Sequence, residues 1–321
     1  MTTLATYPHV DSSTESIMRV APGAAGFQTV MVNVYFLGDP DNWVLVDAGV
    51  PMQAHRIIRA AEQRFGRGTR PNAVILTHGH FDHVGSLEAI LEHWDVPVYA
   101  HRLEMPYLSG QSEYPPPDPT VGGGLWSRLS PLFPRGPYDF RPHLRELPSD
   151  MRVPGVNEWR WIHTPGHSPG HVSLFRESDR ALIAGDAFTT QQQESFFAVM
   201  TNAQKVHGPP MYYTIDWDAA RASVQHLAEL EPASAGTGHG LPMFGDRLRI
   251  ELTALALHFR ELGMPRKGRY VDQPAVTDES GILALPPKPY DPVPALLAAG
   301  AVVGIGAFIL AKTKKSSESI S

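Results

Sequence analysis

Short apolar blocks alternate along the chain with longer blocks whose apolar residues recur every three or four positions. Residues 32–49, VNVYFLGDPDNWVLVDAG, predict two strands around a turn, and the following QAHRIIRAAEQRF predicts a helix with one apolar face. A strand at AVILT, a helix at SLEAILEHW and a strand at VPVYA come next. The first half of the chain therefore has a strand-helix-strand rhythm.

The same rhythm restarts at Trp159. Strands are predicted at WRWIHT, VSLFRE and RALIAG, a helix at DWDAARASVQHLAEL, and a further strand at ASAGT. The last predicted helix, DRLRIELTALALHFREL, ends at Gly263, and glycine is a common residue just beyond a helix C-terminus. Two halves built in this way are expected to form an α/β structure of two sheets, with helices outside each sheet.

Residues 105–140 interrupt this rhythm, because PPPDP, GGG and SPLFPRGP are too rich in proline and glycine for regular elements. Such a long segment is either a functional lid or ordered wrap, or a disordered insertion. Its apolar residues could anchor it, which favours the ordered alternative. They are Trp126, Leu129, Leu132, Phe133 and Tyr138. Residues 271–294 are also rich in proline and are predicted to be a linker.

The segment that follows, residues 293–311, runs nineteen positions without a charge and precedes lysines at 312, 314 and 315. That length is sufficient for a transmembrane helix, so a C-terminal membrane anchor is predicted. The alternative is an alanine- and glycine-rich helix that packs on the body or on a partner chain. The first twenty residues lack an apolar core of signal-peptide length, so we expect a cytoplasmic protein, membrane-anchored if the C-terminal helix spans the bilayer.

The composition of the chain limits the partners and the reactive groups that it can use. The chain has 321 residues, a formal net charge of −6 and a pI near 6.2, which predicts no basic surface for a nucleic-acid partner. It contains no cysteine, which excludes disulfides, thiolate metal ligands and a cysteine nucleophile. A metal ion would therefore be held by nitrogen and oxygen ligands.

The stretch THGHFDHVG, Thr77 to Gly85, places three histidines and one aspartate within six consecutive positions. It lies between a predicted strand and a predicted helix, where α/β proteins commonly bind ligands. His78 and His80 would project to the same side of an extended backbone. Asp82 and His83 come after the chain has begun to turn into the helix and could serve a second cation. The alternative is a capped loop, in which aspartate is a common residue.

Three further segments deliver a histidine or an aspartate at the exit of a predicted strand. HTPGHSPGH supplies His167, IAGDAF supplies Asp186 and GTGHG supplies His239. A metal centre assembled from loops requires this arrangement. With these motifs in this order, the chain resembles the metallo-β-lactamase superfamily, and more closely its glyoxalase II and lactonase-like branches, over roughly residues 20–263.

The resemblance implies a four-layer αββα sandwich with a dinuclear metal centre between the sheets. The first metal would be held by His78, His80 and His167, the second by Asp82, His83 and His239, and both by Asp186. Two Zn²⁺ ions per chain are expected, with Fe or Mn as alternatives for the same ligands. A hydroxide shared by the two metals is the implied nucleophile.

Other residues have supporting roles in this prediction. Asp82 and Asp186 are also the predicted catalytic residues. Asp47, in LVDAG, matches the aspartate that braces the first ligand loop, with an ordinary turn residue as the alternative. Four more histidines are interpreted as packed, supporting or surface residues, with a place at the site rim as the alternative for His101 and a place in a substrate loop as the alternative for His207. They are His101, His163, His171 and His207.

The leading hypothesis is a hydrolase that cleaves an ester, thioester or lactone bond of a small molecule. Lactonase-like members have a tyrosine three positions after the bridging aspartate, where this chain has Thr189, so Tyr212 or Tyr213 would have to supply the hydroxyl. Glyoxalase II uses a basic cluster, and the comparable RKGR at 266–269 is more typical of a solvated turn. The alternatives are an iron-dependent oxidoreductase similar to the sulfur dioxygenases of the superfamily, and a membrane-tethered metal-binding protein without turnover.

Overall fold

Two β-sheets face each other in the computed structural model, which describes residues 15–122, 124–192 and 204–289. The first sheet has seven strands, antiparallel from β1 to β4 and parallel from β4 to β7. In sheet order they are β1 (Ile17–Ala21), β2 (Ala24–Gln28), β3 (Asn33–Asp39), β4 (Asn42–Val46), β5 (Val74–Ile75), β6 (Val98–Ala100) and β7 (Leu144–Glu146).

The second sheet has five strands in the order β12-β11-β10-β9-β8, with β10 and β11 parallel and the other pairs antiparallel. These strands are β8 (Arg160–His163), β9 (Val172–Arg176), β10 (Ala181–Ile183), β11 (Ser234–Gly236) and β12 (Met243–Phe244).

Helices cover the outer faces and connect the strands. They are α1 (Ala54–Phe65), α2 (Phe81–Val84), α3 (Leu87–Trp94), α4 (Met105–Leu108), α5 (Leu125–Leu129), α6 (Trp217–Glu229), α7 (Gly245–Leu257) and α8 (Phe259–Leu262). Short 3₁₀ turns lie at Arg102–Glu104, Pro119–Val121 and Ser130–Leu132. The last two helices were predicted as one, but His258 leaves the helical conformation at φ −119° and ψ 37° and separates them.

Alternating side chains bury the strands on both faces. In β3, Val34 and Phe36 pack against α1 and α3. The residues that alternate with them, Tyr35 and Leu37, pack between the two sheets. In the second sheet, Leu182 of β10 packs against α6 and α7. The layers therefore run helix, sheet, sheet, helix, and the predicted αββα sandwich is confirmed.

Aromatic packing makes the outer layer of the first sheet rigid. The Trp43 ring stacks on Phe65 with centroids 4.7 Å apart and meets Trp94 edge-on at 5.6 Å. Trp43 is 1% exposed, and burying a side chain of this kind contributes about 1.5–3 kcal/mol to stability. The sheet is thereby a firm support for the loops at its strand ends.

The described part of residues 105–140 is ordered and packed on the body. Tyr107 and Tyr114 are buried and stack with ring centroids 4.1 Å apart. Asp118, also buried, accepts hydrogen bonds from the backbone and hydroxyl of Thr120 and from the backbone N–H of Arg269. The segment is thus held both by its own side chains and by the C-terminal part of the described chain.

The predicted linker at residues 271–294 needs correction in its first half. A two-stranded hairpin, β13 (Val276–Asp278) and β14 (Gly281–Ala284), forms there. Ala275 is buried and its backbone N–H donates to the Ile215 carbonyl oxygen at 3.0 Å. Proline content did not reveal these contacts, because they depend on a partner distant in the sequence.

The predicted tail helix at residues 293–311 lies outside the described residues. Within the ranges that the structure describes, none of the helices has the length and apolar character needed to cross a membrane. The described residues up to Pro286 form one compact unit.

Candidate metal centre

Loops that leave several strands meet at one end of the sandwich. The loops after β4, β5, β10 and β11 carry candidate site residues, and so does the turn between β8 and β9. The Val172 N–H donates to the Thr77 carbonyl oxygen at 2.9 Å, which joins the two sheets beside the site. The Gly238 N–H donates to Gly185 O at 2.8 Å. Backbone bonds therefore fix the loops before any ligand is considered.

The chain changes direction inside the THGHFDHVG motif, as the sequence predicted. His80 is extended at φ −64° and ψ 154°, and α2 begins at the next residue. His78 and His80 therefore precede the helix, while Asp82 and His83 lie on it. Gly79 is required between the first two, because a Cβ there would lie 2.7 Å from Leu108 Cδ2.

His78, His80 and His167 form the first group of side chains, which we name the three-histidine corner. All three are buried, and their nitrogens lie within 4.8 Å of one another. His80 Nδ1 and His167 Nε2 are 3.0 Å apart. Imidazoles gathered at this spacing can direct their lone pairs to a single cation.

Asp82, His83 and His239 form the second group, which we name the mixed corner. Their ligand atoms also lie within 4.8 Å of one another. His239 Nε2 is 3.5 Å from Asp82 Oδ2, and the His239 Nδ1 on the other side of the ring faces the Met31 carbonyl oxygen at 3.1 Å. Because Nδ1 donates to that carbonyl, Nε2 is left as the metal-binding nitrogen.

Asp186 lies between the two corners. Its Oδ2 is 3.4 Å from His167 Nε2, 3.6 Å from His83 Nε2 and 3.2 Å from His239 Nε2. Its backbone N–H donates to His171 Nε2 at 2.9 Å, so His171 helps to orient it. One carboxylate thus reaches histidines of both groups.

Three buried polar atoms at the centre have no hydrogen-bond partner among the described residues. They are His78 Nε2, His83 Nε2 and Asp186 Oδ1. A buried polar atom without a partner costs about 1–3 kcal/mol. These atoms are nitrogen and oxygen donors that point into the same space, so the residues fit a pair of divalent cations.

Asp47 holds the histidines from behind. Its Oδ1 accepts from the Thr77 N–H at 2.8 Å, and its Oδ2 accepts from the Thr77 hydroxyl at 2.8 Å and faces His83 Nδ1 at 2.9 Å. The Thr77 hydroxyl is also 3.1 Å from His78 Nδ1. Asp47 is buried and has a positive φ of 60°, an uncommon conformation for a residue with a side chain. Asp47 therefore contacts both the start of the ligand loop and the His83 ring, and its role as the bracing residue stays a prediction.

The two corners differ in their protonation. Burial, followed by the charge of neighbouring histidines, lowers the pKa of His78 and His80 well below the usual range. Burial also lowers the pKa of His167 to about 4. The three-histidine corner is therefore uncharged at neutral pH before metal binds.

In the mixed corner, burial opposes charge on His83, but the carboxylates of Asp186 and Asp47 outweigh it and raise its pKa well above the usual range. Burial also opposes charge on His239, but the carboxylates, chiefly that of Asp186, outweigh it and raise the pKa of His239. Burial raises the pKa of Asp82. Burial would also raise that of Asp186, but His239 and His83 outweigh it and hold this pKa well below the usual range.

The other predicted histidines lie outside these two groups. His101 and His163 stack on each other with ring centroids 4.1 Å apart, and His163 Nε2 is 2.9 Å from the Pro169 carbonyl oxygen. His207 pairs through its backbone with Thr189. The contacts of His101 and His163 are with other residues of the body, and the absence of a site role for these histidines and for His207 stays a prediction.

Glu104 is a residue at the site that the motifs did not reveal. It is fully buried, and its two oxygens accept four hydrogen bonds. The donors are Gly79 N–H, Tyr114 O–H, Ser168 O–H and Gly170 N–H. The only available signal was a carboxylate close behind the predicted VPVYA strand.

An aromatic wall covers the outside of the three-histidine corner. The Tyr213 ring stacks on His80 with centroids 4.4 Å apart, and Phe133 lies 6.4 Å from Tyr213 and 5.2 Å from Phe81. Tyr213 is 4% exposed, and its hydroxyl has no hydrogen-bond partner among the described residues. Burial, followed by the charge of Asp82, raises the pKa of Tyr213, so the hydroxyl stays protonated.

The chain is similar to known proteins over the segment that contains these motifs. A sequence profile described as the metallo-beta-lactamase superfamily matches residues 28–239. The chain is 51% identical over 241 residues to the probable metallo-hydrolase YflN of Bacillus subtilis (strain 168), with 74% of this chain and 91% of the relative covered. It is 30% identical over 211 residues to the probable metallo-hydrolase YybB of the same organism, with 66% and 81% covered.

Among solved structures, a beta-lactamase domain protein from Burkholderia ambifaria matches with a TM-score of 0.51 at 22% identity. The match covers 79% of this chain and 80% of that one. A likeness at this identity shows a shared fold alone. The glyoxalase II or lactonase-like branch stays a prediction.

Proposed function

The chain belongs to the metallo-β-lactamase superfamily, and from this premise we propose that it is a dinuclear hydrolase that cleaves an ester, thioester or lactone bond of a small molecule. The observation that carries the proposal is the pair of ligand groups joined by Asp186. The two relatives reported above are named as probable metallo-hydrolases, which supports hydrolysis in general.

The proposed metal is Zn²⁺, held by the two corners and by Asp186. Neutral imidazole and carboxylate suit this ion, and Fe or Mn could use the same atoms. When bound, two such ions would lower the pKa of a water molecule toward neutrality and polarise the scissile carbonyl group. The chain has no cysteine, so a thiol nucleophile is not an alternative.

The chain's own groups would orient the substrate. Tyr213 offers a buried hydroxyl that no described residue occupies, and its ring lies against His80 at the edge of the centre. We assign it the task of donating a hydrogen bond to the carbonyl or leaving-group oxygen of the substrate. Thr189 cannot do so, because its hydroxyl already donates to the Gln191 carbonyl oxygen at 2.8 Å. The aromatic wall would contact an apolar acyl group.

The test is metal analysis of the purified full chain, followed by a hydrolysis panel of thioesters, lactones, β-lactams and phosphodiesters. We expect two ions per chain and turnover of at least one thioester, lactone or simple ester. His78→Ala should lose most of this turnover, while His226→Ala, a half-exposed histidine on α6, should retain it. The proposal fails if His78→Ala hydrolyses the same substrate at the wild-type rate, or if oxygen consumption replaces hydrolysis.

A further inference from the structure

We propose that Glu104 is a positioning residue that sets the spacing of the three-histidine corner. It would hold the loop that carries His78 and His80 against the turn that carries His167. The inference rests on the proposed metal centre, but its contacts are properties of the chain itself. According to this proposal, different residues position the ligands of the two corners, and this difference can be measured.

The carboxylate of Glu104 bonds to both ligand-bearing segments at once. Its Oε2 accepts from the Gly79 N–H at 3.0 Å and from the Tyr114 hydroxyl. Its Oε1 accepts from the Ser168 hydroxyl at 2.8 Å and from the Gly170 N–H at 2.7 Å. Each oxygen therefore serves one segment, and no acceptor position is shared between them.

These two segments come from different sheets. Gly79 lies between His78 and His80 in the loop after β5 of the first sheet. Ser168 directly follows His167 in the turn between β8 and β9 of the second sheet. A change in the length or charge of Glu104 would therefore alter the distance between His80 and His167, whose facing nitrogens are 3.0 Å apart.

The packing around Glu104 leaves no room for a side chain at Gly79 or Gly170. A Cβ at Gly170 would lie 2.8 Å from Glu104 Cγ and 2.9 Å from its backbone nitrogen. A Cβ at Gly79 would lie 2.7 Å from Leu108. The absence of a side chain lets Gly170 approach Glu104, and lets Gly79 pack against its neighbours while its N–H reaches the carboxylate. Glu104 itself has no exposed surface.

The mixed corner has no bond to Glu104. His83 is held by Asp47 at 2.9 Å, and His239 by the Met31 carbonyl oxygen at 3.1 Å. Loss of Glu104 should therefore weaken one metal site and spare the other. A purely structural role would disturb both sites alike.

The decisive variant is Glu104→Gln, made in the full chain. Glutamine keeps the size of the side chain, but in either orientation its NH₂ group faces donors that need an acceptor. Stepwise Co²⁺ titration of the metal-free protein, followed by visible absorption, measures both sites. We expect one affinity to fall about 10–100-fold, the range for residues that support metal ligands, and the other to stay unchanged.

Two reference variants identify the weakened site. The spectrum of Glu104→Gln with one equivalent of Co²⁺ should match that of His80→Ala, which lacks a ligand of the three-histidine corner. A match to His239→Ala would overturn the proposal, and so would an equal loss at both sites. Ser168→Ala, which removes a single donor, should shift the same site by a smaller factor and serves if Glu104→Gln does not fold.

Asp118→Asn is the matched control, because Asp118 is another buried carboxylate that braces a loop without touching either ligand segment. It should keep both Co²⁺ affinities, and a loss equal to that of Glu104→Gln would overturn the proposal.

Hydrogen exchange of the metal-free proteins adds a readout that does not depend on metal. The amides of Gly79 and Gly170 should exchange faster in Glu104→Gln than in wild type, and unchanged exchange would overturn the proposal. If wild type bound fewer than two Co²⁺ ions, the dinuclear function would fail, while the exchange rates would still decide the role of Glu104.

Discussion

The two corners of the candidate centre share Asp186, but different interactions hold and charge their side chains. The three-histidine corner is made of imidazoles whose pKa values are lowered, and hydrogen bonds to Glu104 join the segments that carry them. The mixed corner contains a carboxylate and two histidines whose pKa values are raised by carboxylates. We infer that backbone geometry controls cation affinity in the first corner and that charge controls it in the second.

Removing the group common to both corners should have the largest effect. Asp186→Ala is expected to lower kcat/KM on the order of 10³-fold, because a carboxylate that faces three histidines is lost. It should also retain fewer than two ions per chain. Activity assays and metal analysis measure both effects. Asp179→Ala, which removes a partner of Arg176, should change neither. Two retained ions and normal turnover in Asp186→Ala would show that the corners do not depend on it.

A substitution at Tyr213 tests whether substrate binding is separate from metal binding at the corners. Its ring lies over His80, and its pKa responds to Asp82 of the mixed corner. Tyr213→Phe should lower kcat about 10²-fold, the effect of one lost hydrogen-bond donor at a developing negative charge, with metal content unchanged. Tyr99→Phe, on β6 between the sheets, should keep kcat. A reduced metal content in Tyr213→Phe would mean that the ring supports His80 instead.

A lower pH should weaken cation binding in the mixed corner more than in the three-histidine corner. Because the pKa of His83 is raised, a cation that enters the mixed corner at neutral pH must displace a proton. His78 and His80 carry no such proton, because their pKa values are lowered. From pH 8 to pH 6, the Zn²⁺ affinity of the mixed corner should fall about tenfold per pH unit for each proton that the cation displaces, and that of the other corner should change little. Zn²⁺ titrations with proton-release measurements test this, and equal pH slopes would contradict it.

The smallest predicted effect concerns the second nitrogen of His167. His167 Nδ1 is 3.4 Å from the Thr214 hydroxyl, a long contact in which the ring N–H is the donor, because that hydroxyl donates to the Pro210 carbonyl oxygen at 2.8 Å. Thr214→Val should weaken Co²⁺ binding to the three-histidine corner about 2–5-fold, as expected for one weak neutral hydrogen bond. The mixed corner should be unaffected. A larger loss of affinity, or a loss at both sites in the same titration, would contradict the prediction that this contact has the smallest effect.

Local patterns were sufficient to predict two sheets with helices outside them, because the apolar run in β3 and the helical spacing in α1 lie in adjacent residues. The four-layer sandwich itself was implied by the resemblance that the motifs carry. The strand-exit motifs also predicted which side chains meet. Glu104 could not be found in this way, because its donors Gly79 and Gly170 are far from it in the sequence. The hairpin at residues 276–284 was missed for a similar reason, since burial of Ala275 against the body depends on tertiary contacts.

Asn33 donates from its side chain to the carbonyl oxygens of Thr237 and Gly240, on either side of His239. Asn33 and Thr237 are 204 positions apart, so the last histidine of the centre is held by one of the first strands. Pairing residues this far apart in the sequence is slow, because the entropy of closing a long loop opposes it. On a ribosome, nearly the whole body must be synthesised before the mixed corner exists. The ligand loop that carries His239 is therefore fixed only when segments from both ends of the body have met.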